Sequence, residues 1–165
     1  MSDIYLKIAD IDGESTDHEH QHWIRVRQVF WAANQDFAPG NPSCGRPRFD
    51  DLTVLKELDS SSPKLALACA GGKHFDEAMV EFTRNVDVKQ ITIYRIRLKN
   101  IIVSRIENWT EIPRDGTFSI QSEKVSLSFA EIRWEYTELG EHAKKRGSIV
   151  AGWSVDRMSA ISTFE

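Results

Sequence analysis

One short segment of the chain, S-S-P-K-L-A-L-A-C-A-G-G at residues 61–72, carries signals for both ends of a helix. Ser62 can serve as the N-cap, and Pro63 fits the first helical position, where its missing N–H costs nothing. Leucines and alanines follow, and the glycine pair favours the left-handed conformation of a C-cap. A helix of about two to three turns is marginal in water by itself. The segment therefore predicts a helix over about residues 62–71 that lies on a larger structure.

Most other apolar runs alternate with a period of two, which is the pattern of a half-buried strand. About eight such segments occur, among them residues 4–8, 22–32 and 90–109, without the alternation of strands and helices that marks parallel α/β folds. A bend or bulge is expected near Asn100, and the apolar phase slips by one residue within residues 117–137. We predict a mainly β fold, an antiparallel β-barrel of two sheets with one short flanking α-helix, because closure removes free strand edges.

Length and composition restrict the class of protein. The 165 residues predict a single β-barrel domain over residues 1–165, and the net charge of −4 gives no general attraction for nucleic acid. Two cysteines are too few for a disulfide scaffold, and the N-terminus lacks the apolar core of a signal peptide. We expect a soluble protein made in the cytosol that, if exported, leaves without an N-terminal signal.

Several strands carry large apolar side chains on both faces, so one barrel and one short helix cannot cover them all. Contiguous exposed apolar surface usually marks an interface, and most soluble oligomers are homo-oligomers. This pattern predicts self-association. A long loop over about residues 34–48, with three prolines and two glycines, is a further candidate for contacts because such loops are often functional.

Two other kinds of site remain open at this point. His18, His20 and His22 alternate at strand spacing and could hold a metal ion in a barrel enzyme, although a polar run of this kind more often forms a solvated loop. A carbohydrate-binding β-sandwich could use its tryptophans as a sugar platform, although tryptophans at strand spacing more often belong to a core or an interface. The five tryptophans are Trp23, Trp31, Trp109, Trp134 and Trp153.

Four blocks of sequence resemble one known family. They are I-Y-L-K-I-A-D-I-D-G-E-S-T-D at residues 4–17, S-S-P-K-L-A-L-A-C-A-G-G-K-H-F at 61–75, V-S-L-S-F-A-E-I-R-W-E-Y at 125–136 and A-G-W at 151–153. Together they are similar to Hcp, the tube-forming protein of the bacterial type VI secretion system. The resemblance covers most of the chain, with local departures at residues 29–35 and 107–116.

The resemblance implies a homohexameric ring that stacks into a tube inside a contractile sheath, with a VgrG spike at the tip and effector proteins in the lumen. It implies secretion through the type VI machine. It suggests no catalytic residues, no cofactor and no metal, no nucleic-acid partner and no insertion into a membrane. Asn34, Gln35, Asp36 and Phe37 are the candidates for contacts between stacked rings, on the length of their loop and on its prolines.

Overall fold

The computed structural model describes residues 2–36, 40, 45–86, 89–114, 119–140 and 144–162. Within these residues the chain forms twelve β-strands and one α-helix: β1 (Ile4–Ile8), β2 (Ile24–Val26), β3 (Gln28–Phe30), β4 (Ala33–Gln35), β5 (Pro47–Phe49), β6 (Leu52–Glu57), α1 (Ser62–Gly71), β7 (His74–Val86), β8 (Lys89–Glu111), β9 (Ile120–Ser128), β10 (Glu131–Leu139), β11 (Lys145–Ser154) and β12 (Ser159–Ala160). No helix in this part of the chain has the length and apolar character needed to cross a membrane.

Ten of the strands form one antiparallel sheet, and β4 and β5 form a separate two-stranded ladder. The path β1-β7-β8-β9-β6-β3 curls round on itself, because β3 follows β2 after a single residue, Arg27, and β2 pairs with β1. The hydrogen-bond ladder is interrupted at Arg27, whose N–H donates to Leu55 O. The predicted mainly β, antiparallel architecture with one flanking helix is confirmed. The barrel is not fully closed, because β2 and β3 do not pair with each other, and the large sheet is continuous instead of divided into two.

The longest strand, β8, is the spine of the sheet. One edge of β8 pairs with β7, and the other pairs first with β10 and then with β9. The change of partner falls at Asn100, which has a φ of 50°, and opposite it the chain leaves its strand at Phe129 and Ala130. The predicted bend near Asn100 is confirmed, and the phase slip in residues 117–137 marks the boundary between β9 and β10.

The second predicted strand, at residues 22–32, is wrong as a single element. It divides into β2 and β3, and the buried face changes between them. Ile24 and Val26 are buried, whereas Phe30, expected on the same side, is 51% exposed. The break occurs because β2 pairs with β1 while β3 pairs with β6, so the two halves serve different neighbours.

The predicted loop over residues 34–48 is also shorter than expected, because both of its ends are strands. Asn34 pairs with Arg48, and Gln35 with Pro47. Proline is tolerated here since a two-stranded ladder has only edge strands.

The core lies inside the curled sheet and is closed on one side by α1. Alternate residues of seven strands point inward, and Leu65 and Ala68 of α1 are buried with them. The apolar strand residues with no more than 1% exposure are Leu6, Ile24, Leu52, Val54, Ala78, Val80, Ile96, Leu98, Ile101, Val125, Leu127 and Ile132.

A fully buried ion pair joins α1 to the sheet. Lys56 on β6 and Glu123 on β9 are register partners, both have no exposed surface, and Lys56 Nζ lies 2.9 Å from Glu123 Oε2. The ammonium group also lies 2.9 Å from Asp59 Oδ1 and donates to Ser62 Oγ and Glu57 O. Because an isolated buried charge is very costly, this full set of acceptors is what makes the pair tolerable.

The predicted role of Ser62 as N-cap is wrong for the same reason. Ser61 occupies the N-cap position without a side-chain cap bond, and the Ser62 hydroxyl donates to Glu123 Oε2 at 3.0 Å. At the other end the expected cap is present, with Gly72 at a φ of 61°.

We predict that Lys56→Met lowers the free energy of unfolding by about 3–5 kcal/mol, because it leaves Glu123 charged, buried and without its cation. Denaturant unfolding of the purified variant measures this. The matched double variant Lys56→Met with Glu123→Leu removes both charges and should recover most of the loss. Equal stability of the single variant and the wild type would contradict the prediction.

Candidate self-association surface

The clearest unpartnered surface of the described residues lies on the hairpin of β10 and β11, which we call the wing. Tyr136 and Ile149 are direct cross-strand partners on its inner face, and they are 48% and 68% exposed. Val150 on the opposite face is 38% exposed. Because Ile149 and Val150 are adjacent in β11, each face of the wing carries an exposed apolar side chain, and neither face is fully polar. The wing is therefore suited to contact with another protein surface.

The outer edge of β11 is open as well. Strand β12 pairs with Trp153 and Ser154, and Gly152 O accepts from Ile161 N. Along residues 145–151, all exposed, the described residues provide no strand on the side away from β10. An edge with unpaired N–H and C=O groups is a template for pairing with another chain.

The pattern of apolar residues in the sequence predicts self-association but does not locate the wing. The signal that could have found it is the run S-I-V-A at residues 148–151, where apolar residues occupy both faces of a strand near the end of the chain. Periodicity cannot distinguish a strand buried on both faces from one that awaits a partner.

The predicted stacking residues fall on and after β4. Asn34 and Gln35 lie in the strand, Asp36 follows it, and all three are exposed; Phe37 lies outside the described residues. Gln35 Nε2 donates to Gly45 O at 2.6 Å, and Gly45 N donates to Asp36 O at 3.1 Å. The two strands thus hold the base of the segment in place, with its polar side chains toward solvent.

The three candidate metal ligands do not come together. His18 and His22 are exposed, and their segment consists of bends and turns instead of a strand. His20 is 1% exposed, and its ring nitrogens lie 2.7 Å from Asp17 Oδ1 and 2.9 Å from Glu81 Oε2. Among the residues that the structure describes, no group of three or more ligand side chains could hold a metal ion.

Glu81 is the centre of a buried polar network. It accepts from Thr92 Oγ1 at 2.8 Å and from Arg95 Nε at 2.6 Å, besides its contact with His20. Arg95 continues the network to Glu135, at 3.3 Å. Burial alone would raise the pKa of Glu81, but the hydrogen bonds from His20, Thr92 and Arg95 and the charge of Arg95 outweigh it and lower the pKa.

The five tryptophans do not all share one platform: Trp134 and Trp153 line one cavity, with Trp31 against Trp134, whereas Trp23 and Trp109 make other contacts. Trp31 packs on Trp134 with ring centroids 5.3 Å apart, and Trp23 meets the edge of His20 at 4.9 Å. Trp109 lies toward the end of β8 and donates to Glu111 at 3.0 Å. Trp153 packs against the core. These positions do not favour the carbohydrate-binding hypothesis.

Comparison with known proteins identifies the fold. The profile of the family described as "Type VI secretion system effector, Hcp" matches residues 5–136. Protein hcp1 of Pseudomonas aeruginosa is 29% identical over 159 residues, which cover 93% of this chain and 94% of that protein. This chain belongs to the Hcp family.

Solved structures of the Hcp family agree with this assignment. A structure described as a type six secretion system protein has a TM-score of 0.87 at 26% identity, covering 98% of this chain and all of the other. Hcp1 from Salmonella typhimurium has a TM-score of 0.79 at 26% identity, covering 97% and 99%. As a member of a family of structural, secreted, ring-forming proteins, this chain is a subunit of the type VI secretion tube and associates with itself.

We predict that Tyr136→Ser combined with Ile149→Ser weakens self-association of this Hcp by about tenfold or more, since each buried apolar side chain contributes about 1.5–3 kcal/mol. Mass in solution over a dilution series measures the change. Leu67→Ser is the matched control, because Leu67 is 74% exposed on α1, outside the wing. An unchanged oligomer in the double variant, or an equal loss in the control, would be inconsistent with contact through the wing.

A second prediction concerns acid pH. Because the pKa of Glu81 is lowered by folding, the unfolded chain takes up the proton more readily, so this stabilisation is present above the ordinary value of 4.5 and is lost as pH falls below it. Glu81→Gln should cost about 1–3 kcal/mol at neutral pH and lose less further stability on acidification than the wild type. Melting temperatures measured from about pH 3 to about pH 7 test this. Parallel wild-type and variant curves would refute it.

Proposed function

We propose that this Hcp forms a homohexameric ring in which the wing of one subunit meets a different surface of the next. The single observation that carries the proposal is the coincidence of an open β11 edge with the exposed pair Tyr136 and Ile149. A head-to-tail contact of this kind closes into a ring when the rotation between subunits divides a full turn. A stable interface of about 1,600 Å² in total is larger than these side chains alone, so the edge and both faces of the wing would take part.

We further propose that rings stack through the segment at Asn34, Gln35, Asp36 and Phe37 to build the tube. The support is that the β4–β5 ladder projects exposed polar residues at a place where the sheet itself supplies no other partner among the described residues. Contacts between identical rings can repeat without limit, which suits a tube made of one component.

Membership of the Hcp family supports a proposal for the remaining partners. The proposal includes a VgrG spike at the tip, a contractile sheath around the tube and effector proteins in the ring lumen. Residues 1–165 would act as one Hcp-like domain, made in the bacterial cytoplasm and exported by the type VI machine. No catalytic role is proposed, because the side chains of Glu81 and His20 are engaged in hydrogen bonds with each other and with neighbours on the sheet.

Electron microscopy of the pure protein beside its mass in solution tests the ring. Six-fold rings with the mass of a hexamer are expected, and a strictly monomeric protein at micromolar concentration would overturn the proposal. Measured zinc or iron that survives dialysis would instead favour an enzyme.

We predict that replacing Gln35, Asp36 and Phe37 together by glycine shortens or abolishes stacking while the hexamer persists, because glycine removes the side chains and loosens the segment. Tube length by negative stain is the measurement, and an unchanged hexamer mass is the internal control. Stacking equal to that of the wild type would remove this segment from the ring-to-ring contact.

A further inference from the structure

The buried His20 poses a protonation problem that the tube function does not explain. Its two ring nitrogens face carboxylate oxygens, Asp17 Oδ1 at 2.7 Å and Glu81 Oε2 at 2.9 Å. An ionised carboxylate only accepts hydrogen bonds, and both nitrogens of an imidazole donate only in its protonated form. The two contacts can therefore coexist with ionised carboxylates only when His20 is an imidazolium.

The surroundings favour that state. The pKa of Asp17 is lowered, because its hydrogen bonds with His20 and Glu19 outweigh the effect of burial, and the pKa of Glu81 is lowered as well. Both carboxyls thus remain ionised at neutral pH, and the ring lies between two negative charges. Tyr5 stacks on the imidazole with centroids 4.2 Å apart and an interplanar angle of 6°.

Other charged groups face the site from each neighbouring element. Arg95 on β8 reaches Glu81 and, beyond it, Glu135 on β10. The adjacent cavity of about 760 Å³ brings further titratable groups to the mouth of the site: His18, Glu19, Lys89 and Lys145. Arg95 is offset by Glu81 and Glu135, so an imidazolium at His20 would extend this chain of alternating charges to Asp17.

What His20 holds is the connection between β1 and β2, residues 12–23, which we call the strap. Backbone bonds within the strap join Gly13 to His22 and Ser15 to Trp23. Its side-chain link to β7 is the contact of His20 with Glu81, across 61 positions of sequence. The strap covers Tyr5, which is 4% exposed, and places the Trp23 ring against His20.

We propose that His20 is a proton-dependent clasp: as an imidazolium it fastens the strap to β7, and on losing its proton it gives up one carboxylate and loosens the strap. One ring nitrogen of the neutral imidazole becomes an acceptor and then faces a carboxylate oxygen, which is repulsive. The contact with Glu81 attaches the strap to β7, and the contact with Asp17, within the strap, orients the ring for it, so loss of either one weakens the clasp. The clasp lies within one chain, so it operates whether or not rings form.

The first test reads the ring directly. In the folded wild-type protein, ¹⁵N NMR of the His20 ring should show two protonated nitrogens at about pH 5.5, which is below the ordinary titration of an imidazole at about 6.5. A neutral ring at that pH would overturn the proposal without the need for any variant.

The second test reads the strap. Amide hydrogen exchange of the strap, corrected for the intrinsic rate at each pH, should rise by about tenfold in the wild type between about pH 5.5 and about pH 8.5. In His20→Gln the strap should exchange quickly at both pH values, whereas the matched control His18→Gln, at an exposed position two residues away, should follow the wild type.

Asp17→Asn, which keeps the Glu81 contact, serves as the milder variant if His20→Gln does not fold. The exchange rate of its strap should depend less on pH than that of the wild type. Strap protection that is flat across this range in the wild type, or equal dependence in Asp17→Asn, would refute the clasp.

Discussion

The salt bridge between Lys56 and Glu123 is the contact on which the arrangement of this barrel depends. The two residues are direct register partners on β6 and β9, and both are completely buried. If both strands slipped by one residue, the side chains of Lys56 and Glu123 would move to the opposite face of the sheet. If only one strand slipped, the charged side chain of the other would remain unpaired in the core. An apolar pair could stabilise the barrel as well, but it would accept several registers. The buried charges make one register much better than its neighbours.

The same pair also positions the helix. Ser62 and Asp59 bring the start of α1 to the ammonium group of Lys56, so the helix is attached to the sheet by its first turn and by the burial of Leu65 and Ala68. Since a helix of ten residues has little stability of its own, its position is decided by these contacts. The core side of the barrel is therefore satisfied within one chain.

The wing shows the opposite situation. Strand β10 is anchored through Ile132 in the core, but farther along the same face Tyr136 and its partner Ile149 are 48% and 68% exposed. One strand pair thus begins as core and ends as exposed surface. In a family that builds tubes, this is the expected division: a self-sufficient barrel carries a surface whose burial is left to another copy.

Local pattern was sufficient for much of the fold. Alternation of apolar residues identified most strands, the glycine pair located the helix end, and Asn100 was recognised as the bend of β8. Four sequence blocks were sufficient for the family. The candidate stacking segment was chosen from composition and loop length, which indicate accessibility but not the partner, and its ends proved to be strands.

What the sequence by itself determined is the conformation of most short segments, because that depends on neighbours a few positions away. Only the tertiary structure decided that Lys56 meets Glu123, that His20 lies between Asp17 and Glu81, and that Ser62 serves a buried ion pair instead of a helix cap. These contacts join residues up to 67 positions apart. Their existence depends on strand order and register, which are set by the sum of all pairings and not by any one segment.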